Sequence, residues 1–255
     1  MIVIADSGST KCNWQLVDDS GSVRRVQSRG INAVLQRPDE VEALLRETFA
    51  EPVQADALHF YGAGCGERYP EQSARLREAL ARYFPAARIA VESDLMGAAR
   101  ALLGGRAGIA CILGTGSNSC YYDGVRIVRN TPPLGWVLGD EGSGTYIGRQ
   151  LVGNLLKGLR EGMANRFLAS FTRFVARHID RPELDELVCE AFRAFVRRNL
   201  AHYPADAEVS ALGGVACHFE RQLRHVLATE GMRAGRIVET PDEGLLNYHI
   251  WNRSE

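Results

Sequence analysis

Two short stretches carry the residue types needed to handle phosphate. Asp6-Ser7-Gly8-Ser9-Thr10-Lys11 follows the apolar run MIVIA, and Gly114-Thr115-Gly116-Ser117-Asn118 follows the apolar run from Gly108 to Leu113. In each, an apolar strand ends in a tight Gly/Ser/Thr turn and a second strand begins. Backbone N–H groups in such a turn, helped by Ser and Thr hydroxyls, form a nest for phosphate oxygens. Asp6 stands at a strand end, where a carboxylate can hold Mg²⁺, usually through water. Lys11 adds a point charge suited to a phosphoryl group. A Ser/Gly-rich β-turn with no ligand accounts for either stretch alone; two copies at the same place in a repeated pattern favour the phosphate reading. A strand follows each turn, so neither is a Walker A loop, which leads into a helix.

Three further positions suit acceptor chemistry or a nucleotide. Asp94 follows the strand 88–91 and precedes an Ala-rich helix. A carboxylate there can take a hydroxyl proton during phosphoryl transfer, or can merely cap the helix. In LGDEGSG, Asp140 and Glu141 sit among glycines just before a helix. They suit hydrogen bonding to polyol hydroxyls, while Ser143 suits capping of that helix. Gly213-Gly214 ends a strand and opens a helix. Missing side chains there let a flat ring approach the backbone, or let helix and strand pack closely.

The elements that must position these residues repeat. Strands are predicted at 1–5, 12–17 and 23–28, the last two joined by the turn-forming Asp18-Asp19-Ser20-Gly21. A helix at 38–49, a strand at 57–61, a helix at 70–84, a strand at 88–91 and a helix at 95–103 follow. The order βββαβαβα then restarts with a strand at 108–113 and a hairpin, 119–122 and 125–129, across Asp123-Gly124. After a Pro/Gly loop at 130–144 come helices at 145–156, 165–178 and 182–202, a strand at 209–212, a helix at 215–230, a strand at 236–239 and a closing helix at 241–251. The repeat predicts two related α/β lobes, residues 1–105 and 106–255, the second with inserted helices. Ligands in such sheets bind at the carboxyl ends of the strands. Two loops there can grip one polyphosphate from two sides of a cleft.

The rest of the composition excludes more than it specifies. The 255 residues are 45% apolar and 24% charged with a net charge of -1, which gives no electrostatic reason to expect nucleic acid or an anionic membrane as partner. No apolar run approaches the ~20 residues of a spanning helix and no leader pattern precedes MIVIA, so a cytoplasmic protein is expected. The six cysteines (Cys12, Cys65, Cys111, Cys120, Cys189, Cys217) show no CxxC spacing and the six histidines no ligand spacing, so buried thiols are expected rather than disulfides or zinc. Phe167, Phe171 and Phe174, with Phe192, Phe195 and Val196, form apolar stripes that suit either core packing or the seam of a homodimer.

DSGST, GTGSN, a strand-end Asp before an Ala-rich helix, LGDEGS and a late GG together resemble the sugar kinase, Hsp70 and actin superfamily. More narrowly, the chain is similar to the BadF/BadG/BcrA/BcrD-type ATPases that include N-acetylglucosamine kinase. The resemblance runs from Ile4 to the PDEGLLNYH segment. It implies two RNase H-like (actin-like ATPase) lobes with a nucleotide cleft between them and with ATP and Mg²⁺ as cofactors. It places Asp6, Gly8, Thr10 and Lys11 in the first phosphate loop, with Asp6 toward the metal. It places Thr115 and Gly116 in the second loop and Gly213 and Gly214 near adenosine. Asp94 matches the family's general base, and Asn32, Ser117 and Asp140 fall where a sugar is bound. The implied activity is phosphorylation of an N-acetylated aminosugar, N-acetylglucosamine or N-acetylmuramic acid. Two other readings stay open: an energy-coupling ATPase of the BadF type, which needs cysteines for an iron–sulfur cluster and has only Cys65 in a plausible loop, and a non-catalytic sugar sensor. The stretch from Leu156 to Asn165 is shorter than the family pattern.

Overall fold

The computed structural model describes residues 1–8, 10–49, 51, 53–155 and 165–251. Ser9 of the first phosphate loop and most of the shortened stretch 156–165 lie outside the described residues.

The chain forms two compact units. The first contains β1 (Ile2–Ser7), β2 (Lys11–Val17), β3 (Val23–Arg29), α1 (Pro38–Thr48), β4 (Ala57–Gly62), α2 (Pro70–Tyr83), β5 (Arg88–Ser93) and most of α3 (Asp94–Leu103). The second contains β6 (Gly108–Leu113), β7 (Ser117–Tyr122), β8 (Ile127–Thr131), α4 (Gly135–Leu138), α5 (Gly144–Leu155), α6 (Asn165–Arg177) and α7 (Pro182–Phe195). A π-helical turn (Val196–Leu200), β9 (Glu208–Leu212), α8 (Gly214–His218), α9 (Glu220–Thr229) and β10 (Arg233–Val238) complete it. The last helix, α10 (Asp242–Trp251), belongs to the first unit. Chain order alone assigns it to the second.

Both sheets have the same topology. Strand order is β3-β2-β1-β4-β5 in one and β8-β7-β6-β9-β10 in the other. Three antiparallel strands come first, and two strands parallel to the first of them extend the sheet. Two α/β units of one topology are what the repeated order of elements predicts, and their actin-like fold is what the resemblance implies. The central strands read as continuous apolar runs because both their faces are covered. Along β1, Val3 and Ala5 join the core with Trp14, Leu45, Phe60 and Leu80, while Ile2 and Ile4 face Ala101 and Leu245. Trp14 is fully buried, and its indole N–H donates to Ser28 Oγ at 2.9 Å. A buried indole needs such an acceptor.

Long-range packing explains where the elements depart from periodicity. The helix predicted at 182–202 turns into a π-helix at Val196. The Asn199 side-chain amide donates to Phe195 O at 3.2 Å there, and its main-chain carbonyl accepts the Thr131 hydroxyl at 2.9 Å. The helix predicted at 215–230 breaks at Phe219 into α8 and α9, and the loop 130–144 contains the short helix α4. Phe192, Phe195 and Val196 are core residues of the second unit, Phe171 packs against that core, and Phe174 is exposed. The side chain of Phe167 lies outside the described residues. Among the described residues, no helix is long and apolar enough to cross a membrane.

Candidate active site

In the first unit the candidate residues gather at the carboxyl ends of the parallel strands. Ser7, Gly62 and Ser93 lie in one register row across β1, β4 and β5, so the turns after these strands start level. The β1–β2 turn closes by the Gly8 N–H donating to Lys11 O at 3.0 Å. Gly8, Thr10 and Lys11 are exposed and free to meet a ligand. Ser7 is fully buried instead; its hydroxyl accepts from the Ile31 N–H at 2.7 Å and donates to Ile31 O at 2.9 Å. That pair ties the β1–β2 turn to the segment carrying Asn32. The Asn32 side-chain oxygen accepts from the Val34 N–H at 3.0 Å, and its backbone N–H donates to Gln36 Oε1 at 2.8 Å. The segment is thus held by an Asx turn.

Asp94 opens α3 directly after β5. Its carboxylate accepts the Leu95 N–H at 2.8 Å, while the Met96 N–H goes to Ser93 Oγ at 3.1 Å. Ser93 therefore does the capping that the sequence offers to Asp94, and this Ser was missed by sequence reasoning. Burial raises the Asp94 carboxyl above its ordinary value, against the opposing pull of the Leu95 N–H and its own backbone N–H. Asp6 is pushed up to about 7, first by burial and then by the negative charges of Asp242 and Asp94, with Lys11 opposing. Asp242 is a second residue that sequence reasoning missed, because its place beside Asp6 depends on the return of α10.

Cys65 also lies here, buried, with its thiol pushed up to about 12 by burial and by the charge of Asp94. A thiolate ligand needs the opposite surroundings. All six cysteines are free. Among the described residues, no three His, Cys, Asp or Glu side chains converge on a metal position.

In the second unit the candidate loop and LGDEGS form one structure. The Gly114 N–H donates to Gly116 O at 3.0 Å, and Gly144 and Thr145 donate to the carbonyls of Gly114 and Thr115 at 2.8 and 3.2 Å. A Cβ on Gly116 would stand 3.0 Å from Asp140 Oδ2, so the glycine makes room for that carboxylate. Asp140 also accepts the backbone N–H of buried Ser117, although burial still raises its carboxyl. Its φ of 56° is the one left-handed value among described non-glycine residues, a strained conformation of the kind held at functional sites. Thr115 is exposed. Ser143 Oγ accepts the Tyr146 N–H at 3.1 Å, so it caps α5 as expected. Capping thus falls to Ser143 and not to the acids of the same loop.

Glu141, 9% exposed, pairs with Arg198 of the π-turn at 3.2 Å. Arg198 was not singled out in the sequence; nothing local links it to residue 141. Arg198→Ala leaves a buried carboxylate without its cation, at about 1–3 kcal/mol, nearer the lower value because Arg198 is itself partly exposed. The expected result is a lower unfolding temperature by calorimetry, largely restored by Arg198→Lys. An unchanged transition would mean that water replaces Arg198 at no loss.

Gly213 and Gly214 sit where β9 meets α8. Gly213 has φ +124°, and a Cβ there would lie 2.3 Å from Leu113 O; nothing lies within 4 Å of a Cβ on Gly214. The two glycines therefore serve different ends, close packing at the first and open space at the second.

No protein-family model matches the chain, and no curated protein matches it. Solved structures do. A proposed N-acetylglucosamine kinase from Porphyromonas gingivalis is 38% identical, with a TM-score of 0.90 over 99% of this chain and 100% of that one. A second, from Chromobacterium violaceum, is 18% identical, with a TM-score of 0.72 over 97% of this chain and 98% of that one. A ROK family glucokinase from Streptomyces griseus, solved with glucose and AMPPNP, is 16% identical, with a TM-score of 0.58 over 99% of this chain and 100% of that one. The last two likenesses show the shared fold. The first, at its identity and full coverage, shows more: the chain belongs to the N-acetylglucosamine kinase-like family of which the Porphyromonas gingivalis protein is a member.

Proposed function

We propose that this ATP-dependent sugar kinase phosphorylates a hydroxyl of an N-acetylated aminosugar, N-acetylglucosamine or N-acetylmuramic acid, with Asp94 as general base. The observation that carries the reading is the placement of Asp94. It stands at the carboxyl end of β5, level with the phosphate turn of β1, relieved of capping by Ser93 and raised toward the working pH by burial. A base is most effective when its pKa lies near that pH. The backbone N–H groups of Gly8, Thr10 and Lys11, with the Lys11 ammonium, bind and orient phosphate oxygens, and the Thr115–Gly116 turn does the same. Gly214 leaves room for the base of the nucleotide. Asn32, Ser117 and Asp140 hold the sugar.

Mg²⁺ fits the same end of β1. The donors there are oxygens, the charges of Asp242 and Asp94 both act on Asp6, and Asp242 Oδ1 is buried without a hydrogen-bond partner. When bound, the ion neutralises charge on the phosphates during transfer. Asp6 is the residue proposed to hold it. The raised thiol of Cys65 argues against the reading that needs an iron–sulfur cluster.

The test is ADP release from Mg-ATP across a panel of N-acetylglucosamine, N-acetylmuramic acid, N-acetylmannosamine, glucosamine and glucose, with a no-sugar control. Turnover confined to an N-acetylated sugar supports the reading and names the substrate. Equal release in every well, control included, sinks it. In the same assay Asp140→Ala is expected to raise the sugar KM with a smaller effect on kcat. An unchanged KM would leave Asp140 a structural loop residue.

A further inference from the structure

The chain's last helix packs on the first sheet and belongs to the first unit. α10 lies on the face of β1 that carries Ile2, Ile4 and Asp6. Leu245 is fully buried against Ile2, Ile4 and Ala57. Gly244 permits backbone contact with α3, since a Cβ there would meet Ala101 O at 2.2 Å. One turn further on, the His249 ring stacks on His59 at 3.7 Å and meets the Tyr61 hydroxyl at 2.9 Å. One turn before Leu245 stands Asp242.

The contacts of Asp242 are unusual for a residue that only starts a helix. Its main-chain carbonyl accepts Gln15 Nε2 at 2.8 Å. Gln15 lies opposite Ile4 on β2, two residues along from the Asp6–Asn13 pair, on the same face and within diagonal reach of Asp6. Gln15 is only 2% exposed, yet its Oε1 has no hydrogen-bond donor. Asp242 Oδ1 is buried and has none either. Buried acceptors without donors are costly. A helix that needed only to dock would be better served by apolar groups at both positions. Two orphaned oxygens, one amide and one carboxylate, beside the carboxylate of Asp6 are what a hard cation satisfies.

We propose that Asp242 and Gln15 extend the Asp6 end of β1 into a divalent-cation site of the Mg²⁺ class that exists before nucleotide binds. Mg²⁺ typically uses one or two protein carboxylates and fills its remaining positions with water and phosphate oxygens. Asp6 and Asp242 supply that number, and Gln15 adds a neutral oxygen. The charge of Asp242 acting on Asp6 is consistent with this placement. The proposal rests on the reading of Asp6 as the metal residue. It gives α10 a function besides packing, for it delivers a ligand from the far end of the sequence.

The experiment is titration of the full chain with Mn²⁺ in the absence of nucleotide, following free ion by electron paramagnetic resonance. Wild type, Asp242→Asn, Gln15→Met and Asp6→Asn are compared, each with a thermal melt. Wild type is expected to bind one ion, and Asp242→Asn to bind it at least about tenfold more weakly. Without metal, Asp242→Asn should melt no lower than wild type, because a negative charge that acts on Asp6 has gone. Gln15→Met, which keeps the length and loses the oxygen, should also weaken binding. Equal Mn²⁺ affinity in wild type and Asp242→Asn overturns the proposal, as does no binding by wild type. If Asp6→Asn alone loses the ion, the Asp6 reading survives and the Asp242 proposal falls. If Asp6→Asn also binds as wild type does, the Asp6 reading falls with it.

Discussion

Asp94→Asn is expected to lower kcat by roughly 10²–10⁴-fold, the range for loss of a general base, while the sugar KM changes little. The substitution is nearly isosteric. The side-chain oxygen that accepts the Leu95 N–H is retained, and the cap of α3 rests on Ser93. The fold around β5 therefore has no reason to change, and the loss is confined to proton acceptance. Stability gives an independent check. Burial raises the Asp94 carboxyl, so the folded protein favours its neutral form. That contribution is fully present below the unfolded pKa and is lost as pH rises through the folded value. At neutral pH the amide removes a buried charge, and the variant should melt at or above wild type. Retained kcat in Asp94→Asn would remove Asp94 from the base role. A melting temperature well below wild type would show that the carboxylate is needed to hold α3.

What could be read from the sequence divides by range. The two Gly/Ser/Thr turns, Asp94 and the LGDEGS loop were legible because strand, turn and helix signals sit within a few residues of one another. The doubled topology was legible for the same reason: βββαβαβα is an order of local signals. The contributions of Arg198, Asp242 and Gln15 were not. Arg198 reaches Glu141 from a π-turn 57 residues away in sequence, counted as 198 minus 141. Asp242 reaches Gln15 across a separation of 227 residues. No periodicity or capping rule carries information over such spans. The closing helix was found by its pattern, yet its unit was missed, because helix amphipathicity states that a face is buried and not against what. Ser93 is the instructive local failure. Ser and Asp stand side by side at the start of α3, both good caps, and only the hydrogen bonds show which one does the capping.

The paired glycines after β9 separate two kinds of necessity, and they predict opposite outcomes for the same substitution. Gly213→Ala places a Cβ 2.3 Å from Leu113 O and 3.2 Å from Gly114 N, in a backbone at φ +124° that side chains rarely adopt. The neighbour is main chain at the end of β6, and Gly213 is itself fixed by its N–H donating to Val238 O at 2.9 Å. Neither side can move without breaking the ladder. Strain and overpacking together should cost about 3 kcal/mol or more, read as a large fall in unfolding temperature and poor recovery of folded protein. Gly214→Ala meets nothing within 4 Å and starts a helix, where Ala is the better former by up to about 1 kcal/mol. That variant should fold and melt normally. If the open space at Gly214 receives the flat base of the nucleotide, the ATP KM rises several-fold, while the sugar KM and the thermal transition stay near wild type. A normal ATP KM in a well-folded Gly214→Ala protein would place the nucleotide base elsewhere and leave the glycine pair a packing device alone. Activity assays alone would confuse the two glycines, since both variants lose turnover for different reasons; melting and KM measured together keep them apart.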